Sequence, residues 1–451
     1  MKNERSRKQR DSDWPAVNWS AKVPVRYQAD VAVIGGGIAG VCAACAAADT
    51  GASVVLAERF GAVGGVLTTG GVANFSGDTR GLGAIFDEIL ADLEAFHALG
   101  PLRDSPHNTK EQMFDHEVLS LVLQELLLRH NVKILLHTRF VDVVLSDRRI
   151  SEAIVCGASG PEALRAPVFI DCTGEGMVAY SAGFTTMKGR DSDGFTLAMS
   201  MMAFIRHVLP EELIDESLRN AGASKIVPYG YPQVPDGWLD RIKRRDDLPM
   251  VSVWPNGPRG NALKIKIPRC DSTDTESLTE AEISGRRRFA QVVDYFQRIE
   301  DKPWLIDHIS PIIGIREGRR ITGDYLLSLD DVKAGRKFDH GVARGTWYLD
   351  AHSPDDDKRT YEIDLGDMGV PPYQIPLGSL IAADGDNLLM AGRCLSADYM
   401  ALTSARVSPA GAMMGQAAGI AAAKAVTKNG DIRSVPASQV RKTVEERGAV
   451  L

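Results

Sequence analysis

Residues 30–58 read DVAVIGGGIAGVCAACAAADTGASVVLAE. A short apolar run, Val31 to Ile34, ends in Gly35, Gly36 and Gly37. A small-residue helix follows, and a second apolar run, Val54 to Leu56, leads into Glu58. The order strand, glycine turn, helix, strand, acid places Gly35-x-Gly37-x-x-Gly40 in the context that a dinucleotide fingerprint requires. Gly35 turns the chain off the strand, and Gly37 has no Cβ to keep a pyrophosphate from the backbone. Gly40 lets the helix lie close to the sheet. The free N–H groups and the positive end of the helix then face the phosphates. Glu58, eighteen positions after Gly40, is placed to accept hydrogen bonds from a ribose. The alternative is a tight βα turn with no ligand.

The chain has 451 residues, enough for two or three domains. Charged residues make up 25% and hydrophobic ones 44%, as in a globular protein. A net charge of −7 argues against nucleic acid or an anionic membrane as partner. No apolar run has the length of a membrane span. The start, MKNERSRKQRDSDW, is polar and basic without an apolar segment, so it does not read as a signal peptide. It reads as a partly disordered arm, residues 1–29, whose Trp14 and Trp19 dock on the body or on another subunit, which leaves a homo-oligomer open. Six scattered cysteines suit a reducing cytoplasm.

After Glu58, the loop carrying Gly64, Gly65, Val66 and Thr68 is expected to pass over the dinucleotide. Helical spacing covers residues 82–98 and 112–130. Strands are expected at 132–136, 140–145 and 153–156, with a hairpin tip at 146–149. A further strand, 168–170, runs into Asp171-Cys172-Thr173-Gly174. Between about 185 and 350, strand-like runs (197–204, 263–267) and one helix (280–299) read as an inserted unit, which also takes in a strand at 325–327. The strand 387–391 then leads to Gly392-Arg393, and Pro409–Ala425 is a helix of small residues that suits close approach to a flat group or a sheet. The expected architecture is α/β. A Rossmann-like nucleotide-binding domain of the three-layer ββα type covers 30–184 and 376–451, with a mixed α+β substrate domain built on a mixed sheet, 185–375, inserted.

These motifs, in order, resemble the FAD-dependent oxidoreductases of the broad glutathione-reductase-like flavoprotein class, and within it a bacterial family of mostly unassigned substrate. The matching pieces are Gly35–Gly40, Glu58-Arg59, Gly64-Gly65, IDCTGEG at 170–176, IREGRRITGDYLLSLDDV at 315–332 and NLLMAGRCLSADYMALTSARVSPAGAMMGQAAG at 387–419. The resemblance implies FAD, held by Gly35, Gly37, Ile38, Ala39 and Gly40, by Glu58 and Arg59, and by Gly64, Gly65, Val66 and Thr68. It further implies Phe140 at the adenine, Thr173-Gly174 near the pyrophosphate, and Gly392-Arg393 facing the ribityl chain and phosphate. Gly411, Ala412 and Met413 would open a helix aimed at the flavin ring. Many relatives carry an acid where Arg393 stands. The residues themselves favour FAD over NAD, because a second glycine-rich strand–helix junction returns near the C-terminus.

No second G-x-G-x-x-G is present for NAD(P)H. The electron partner is then either a small molecule at the flavin site or a separate protein. The first reading is an enzyme that moves a hydride between flavin N5 and a small organic substrate. The alternative is a flavin-carrying electron-transfer subunit with a protein redox partner. The candidate catalytic set is His352, Arg316, Arg344 and Tyr348. The resemblance puts the Asp350-x-His352 pair on the substrate side of the flavin. Arg316, Arg320 and Arg344 are candidates to clamp a carboxylate or other anion, although Arg319-Arg320 reads equally as a structural pair. Tyr373 and Tyr399 are further candidates. Cys42, Cys45, Cys172 and Cys394 read as packing residues. Asp355–Asp357 reads as a solvated loop, and no spacing reads as a metal site.

Overall fold

The computed structural model describes residues 17–207, 251–255, 261–299, 304–356 and 360–451. Its centre is a five-stranded parallel sheet in the order Leu388–Met390, Val168–Asp171, Val31–Ile34, Val54–Ala57, Lys133–Leu135. Strands buried on both faces read as continuous apolar runs, and here each face feeds a different core. Val31, Val33, Leu56 and Ile170 pack under the helices. Ala32, Ile34, Val55 and Phe169 pack under a second sheet. That second sheet runs Val25–Gln28, Gly160–Arg165, Arg149–Gly157, Arg139–Ser146. Helices, parallel sheet and this covering sheet are the three layers expected.

Two helices of the first layer touch almost backbone to backbone. A Cβ on Gly415 would lie 2.2 Å from the carbonyl oxygen of Ala39, and one on Gly419 would lie 2.2 Å from that of Ala43. At Gly415 and Gly419 the small residues of Ser408–Val426 serve contact with the fingerprint helix, Ile38–Asp49, and the same helix also packs against the strand Val168–Asp171 of the sheet.

The second unit is built on a four-stranded sheet, Val251–Pro255, Asn261–Ile267, Met199–His207, Trp304–Ile309, whose pairings among the described residues are all antiparallel, not the mixed sheet expected. Side chains alternate across a strand. Met199, Met201, Leu263 and Ile265 pack with Phe289 and Val292 of the helix Thr275–Ile299. Ser200, Met202 and Lys264 point the other way, into the cleft between this sheet and the nucleotide-binding unit.

Four local readings change. The helix expected over 112–130 starts at His116, because the Asp115 carboxylate caps it, accepting from the N–H groups of Glu117 (3.0 Å) and Val118 (3.4 Å). Met113 and Phe114 end a strand, Thr109–Phe114, instead. The 325–327 run is not a strand, and only Leu327 bridges, to Ala397. Within the expected arm, Val25–Gln28 is a strand, and Trp19 is 74% exposed, so it does not dock on the body. Trp14 lies outside the described residues, as does Asp357. Leu327, Val332, Trp347 and Tyr373, numbered within the expected inserted unit, contribute to the same core as the fingerprint helix.

Candidate active site

The fingerprint turn is built by close approach. The Gly35 N–H donates to the carbonyl of Ala57 at 2.8 Å, with φ at +103°, and a Cβ there would sit 2.4 Å from the oxygen of Cys172. On Gly40 a Cβ would lie 1.9 Å from the oxygen of Gly35. On Gly37 it would meet nothing within 4 Å, because that position faces the cleft. The motif thus divides into two residues that pack and one that leaves room for a ligand.

Glu58 is buried at the end of its strand. One carboxylate oxygen accepts from Gly36 N–H at 2.6 Å and the other from Phe60 N–H at 2.9 Å. Burial raises its pKa, and those two hydrogen bonds oppose the rise. Each oxygen has a further lone pair for a ribose hydroxyl. Phe140 and Thr138 line the same end. Further along, Glu175 is held between Arg393, at 3.0 Å, and Arg59, at 3.8 Å. The Nε of Arg393 is buried and makes no hydrogen bond among the described residues. Asp171, fully buried, fixes this turn by accepting from Thr173 and from the N–H of Val178. Val407, Ser408 and Gly411, at the start of the helix Ser408–Val426, also line the cleft. No side chain caps that helix, so its positive end is available to a ligand.

Of the expected cofactor residues, Gly35, Gly37, Ile38, Ala39, Glu58, Arg59, Gly64, Gly65, Val66, Phe140, Thr173, Gly174, Gly392, Arg393 and Gly411 line one continuous cleft of about 1770 Å³, its open mouth included. Thr68 turns away and donates to Val63 O at 2.7 Å. Ala412 and Met413 are buried in the helix-packed core. Gly40, as expected, packs.

Beyond Gly411 the cleft continues into a cluster of charges. His352 is buried, and its Nε2 lies 3.0 Å from Asp350 Oδ1. The other Asp350 oxygen accepts from Arg406 at 2.7 Å. Arg316 donates to the carbonyl of Ala198 at 2.6 Å. Tyr348 and Tyr361 share a hydrogen bond between their hydroxyls. Burial, then the neighbouring Arg316, pushes His352 down to about 3, so its ring is neutral near pH 7. Although Asp350 is also buried, its His352, Arg406 and Arg316 neighbours hold it well below the usual carboxylate range. Burial, then Arg316, lowers Lys264 to about 8. With Asp350 ionised, Nε2 of His352 is the donor and Nδ1 the free acceptor, a tautomer assigned from this network.

His352, Arg316 and Tyr348 are therefore brought together. Arg344 is not: its guanidinium donates to the carbonyl of Arg80 at 2.6 Å, outside the cleft lining. Arg320 is structural, bonded to the carbonyls of Ala397 and Gly189 and 3.5 Å from Glu317. Tyr373 and Tyr399 bond to Ser404 and Glu362 and do not line the cleft. Cys42, Cys45 and Cys394 are wholly buried, and Cys172 nearly so. Sequence reasoning missed Lys264, Tyr361 and Arg406. The first was signalled by the alternation in Asn261–Ile267, whose apolar partners face the opposite side.

This arrangement defines a dinucleotide-binding fold whose cleft runs on into a cluster of buried charged side chains. The chain belongs to the FAD dependent oxidoreductase family, whose pattern matches residues 30–444, and FAD is its cofactor. Two curated relatives match over short stretches. A cinnamate reductase of Clostridium sporogenes is 39% identical over 90 residues, 20% of this chain and 13% of that protein. An NADH:acrylate oxidoreductase of Vibrio harveyi is 48% identical over 60 residues, 13% of this chain and 6% of that one. The chain thus spans only a small part of either relative. A geranylgeranyl bacteriochlorophyll reductase-like protein from Thermoplasma acidophilum shares the fold, with a TM-score of 0.50 at 12% identity over 94% of this chain and 84% of its own. Among the described residues no helix is long and apolar enough to cross a membrane.

Proposed function

We propose that this chain is an FAD-dependent oxidoreductase that exchanges a hydride between the flavin and a small organic substrate seated beside Tyr348 and His352. One observation carries the reading: a single cleft runs from Glu58 and the fingerprint glycines to the Asp350–His352 pair. Glu58 would hold the ribose, Gly37 and Arg393 the pyrophosphate, and the start of Ser408–Val426 the ring. Bound FAD supplies the two-electron acceptor or donor. The protein supplies the proton partner. Asp350 stays ionised, fixes the imidazole of His352 through Nε2 and leaves Nδ1 as the nitrogen to take a proton from the substrate, or, once protonated, to return it. Tyr348, whose pKa is raised first by burial and then by Asp350, keeps its proton and donates a hydrogen bond. The division into nucleotide-binding and substrate units, and a cytoplasmic location, are part of the same proposal.

The test is anaerobic bleaching of the FAD-loaded protein with organic acids, alcohols, amines and sugars. His352→Gln is expected to slow bleaching by roughly 100-fold, the usual scale for a lost acid–base group, with FAD content unchanged. Loss of FAD instead would contradict the role given to His352. If the isolated chain turns over no small molecule but passes electrons to a co-purifying protein, the electron-transfer reading replaces this one.

A further inference from the structure

We infer that the ring end of the cleft is an anion site and that the substrate carries a carboxylate, clamped between Arg316, Lys264 and Arg406. The inference rests on the hydride-transfer reading for the word substrate, but the site itself does not. Three cations line this end from three separate elements. Lys264 comes from the antiparallel strand Asn261–Ile267, Arg316 from the 315–319 loop, and Arg406 from the junction between the helices Tyr399–Ala405 and Ser408–Val426. Among the described residues that line this end one carboxylate, Asp350, stands against them, and His352 is neutral. The cluster therefore holds more positive than negative charge in a largely buried space, which is costly unless an anion completes it.

The donors point the same way. The Arg406 side chain is only 10% exposed, and its Nε has no hydrogen-bond partner among the described residues. Arg316 spends one N–H on Ala198 O, its only hydrogen bond among the described residues, and a guanidinium has five. A planar carboxylate matches that fork. Anion binding would also relieve the repulsion from Arg316 and Lys264 that helps keep His352 from holding a proton. Seating the substrate would thereby raise the basicity of the group that handles its proton.

Calorimetric titration of the FAD-loaded protein with benzoate, set against benzamide of nearly the same shape, tests this. Benzoate is expected to bind and benzamide to bind at least roughly tenfold more weakly, the scale of one charge-assisted hydrogen bond. Arg316→Gln should weaken benzoate by roughly tenfold or more, and Arg316→Lys should restore part of the loss. The affinity should fall as pH rises through about 8, where Lys264, facing Arg316, Arg406 and Asp350 with Tyr348, Tyr361 and His352 nearby, gives up its proton. Equal binding of acid and amide, or an Arg316→Gln protein with unchanged benzoate affinity, overturns the anion site. Flavin absorbance of the same samples is read separately. A preparation that takes up no FAD removes the hydride-transfer reading, while the comparison of benzoate with benzamide still decides the anion site.

Discussion

A Cβ on Gly37 would project into open cleft, whereas one on Gly40 would lie 1.9 Å from a carbonyl oxygen. The two substitutions should separate binding from folding. Gly37→Val is expected to leave the unfolding midpoint of the FAD-free protein nearly unchanged and to weaken FAD by at least roughly tenfold, about 1.4 kcal/mol. Gly40→Ala is expected to cost about 1–3 kcal/mol of stability by overpacking, read by urea unfolding. The Asp350–His352 pair makes a pH prediction. The folded pKa of His352, about 3, is below its ordinary value of 6.5. Between those values the unfolded chain binds more protons than the folded one, so stability rises with pH there. It is fully present above pH 6.5 and is lost as pH falls toward 3, with Asp350, also depressed, adding to the loss at the acid end. Unfolding free energies measured from pH 7 to pH 4 should decline, and His352→Gln should flatten part of that slope.

Among the elements, the pair Ile38–Asp49 and Ser408–Val426 sets the floor of the site. Because Gly415 and Gly419 lie on opposing carbonyls, Gly419→Ala is expected to cost about 1–3 kcal/mol and to weaken FAD as well, since the same helix carries Gly411. Equilibrium unfolding and flavin retention measured together would show the two losses moving as one. The strand Asn261–Ile267 separates the same two properties by face. Leu263→Ala, in the core against Phe289, is expected to cost about 2–5 kcal/mol. Lys264→Met, on the cleft face, should leave stability nearly unchanged and act on anion affinity. These elements were largely legible in the chain, because glycine turns and apolar periodicity are local signals. The helix start at His116 was not, since helical spacing continued through Met113 and Phe114 while an Asp115 cap overrode it. Nor was the partner of the small-residue helix, because small side chains announce close approach without saying to what.

In the whole molecule, the fingerprint end of the cleft was readable because its lining residues come from contiguous motifs: Gly35–Gly40, Glu58-Arg59 and Thr173-Gly174. The charged end of the cleft is assembled from residues 264, 316, 348, 350, 352, 361 and 406, and nothing in the spacing of Lys264 or Arg406 announces that they converge on Asp350. Arg344, expected in that cluster, sits instead at the carbonyl of Arg80. Its neighbours on the strand Gly341–Gly345 pack in the core, and the strand's register carries it away from the cleft. The account as a whole requires one extended ligand to join the two halves. A crystal structure of the FAD-loaded protein tests this most directly. It is predicted to show the adenosine ribose on the carboxylate of Glu58, the pyrophosphate over Gly37, and the flavin ring against Gly411 with its reactive edge facing His352. A flavin ring lying away from the Asp350–His352 pair, or an adenosine that does not reach Glu58, would contradict it.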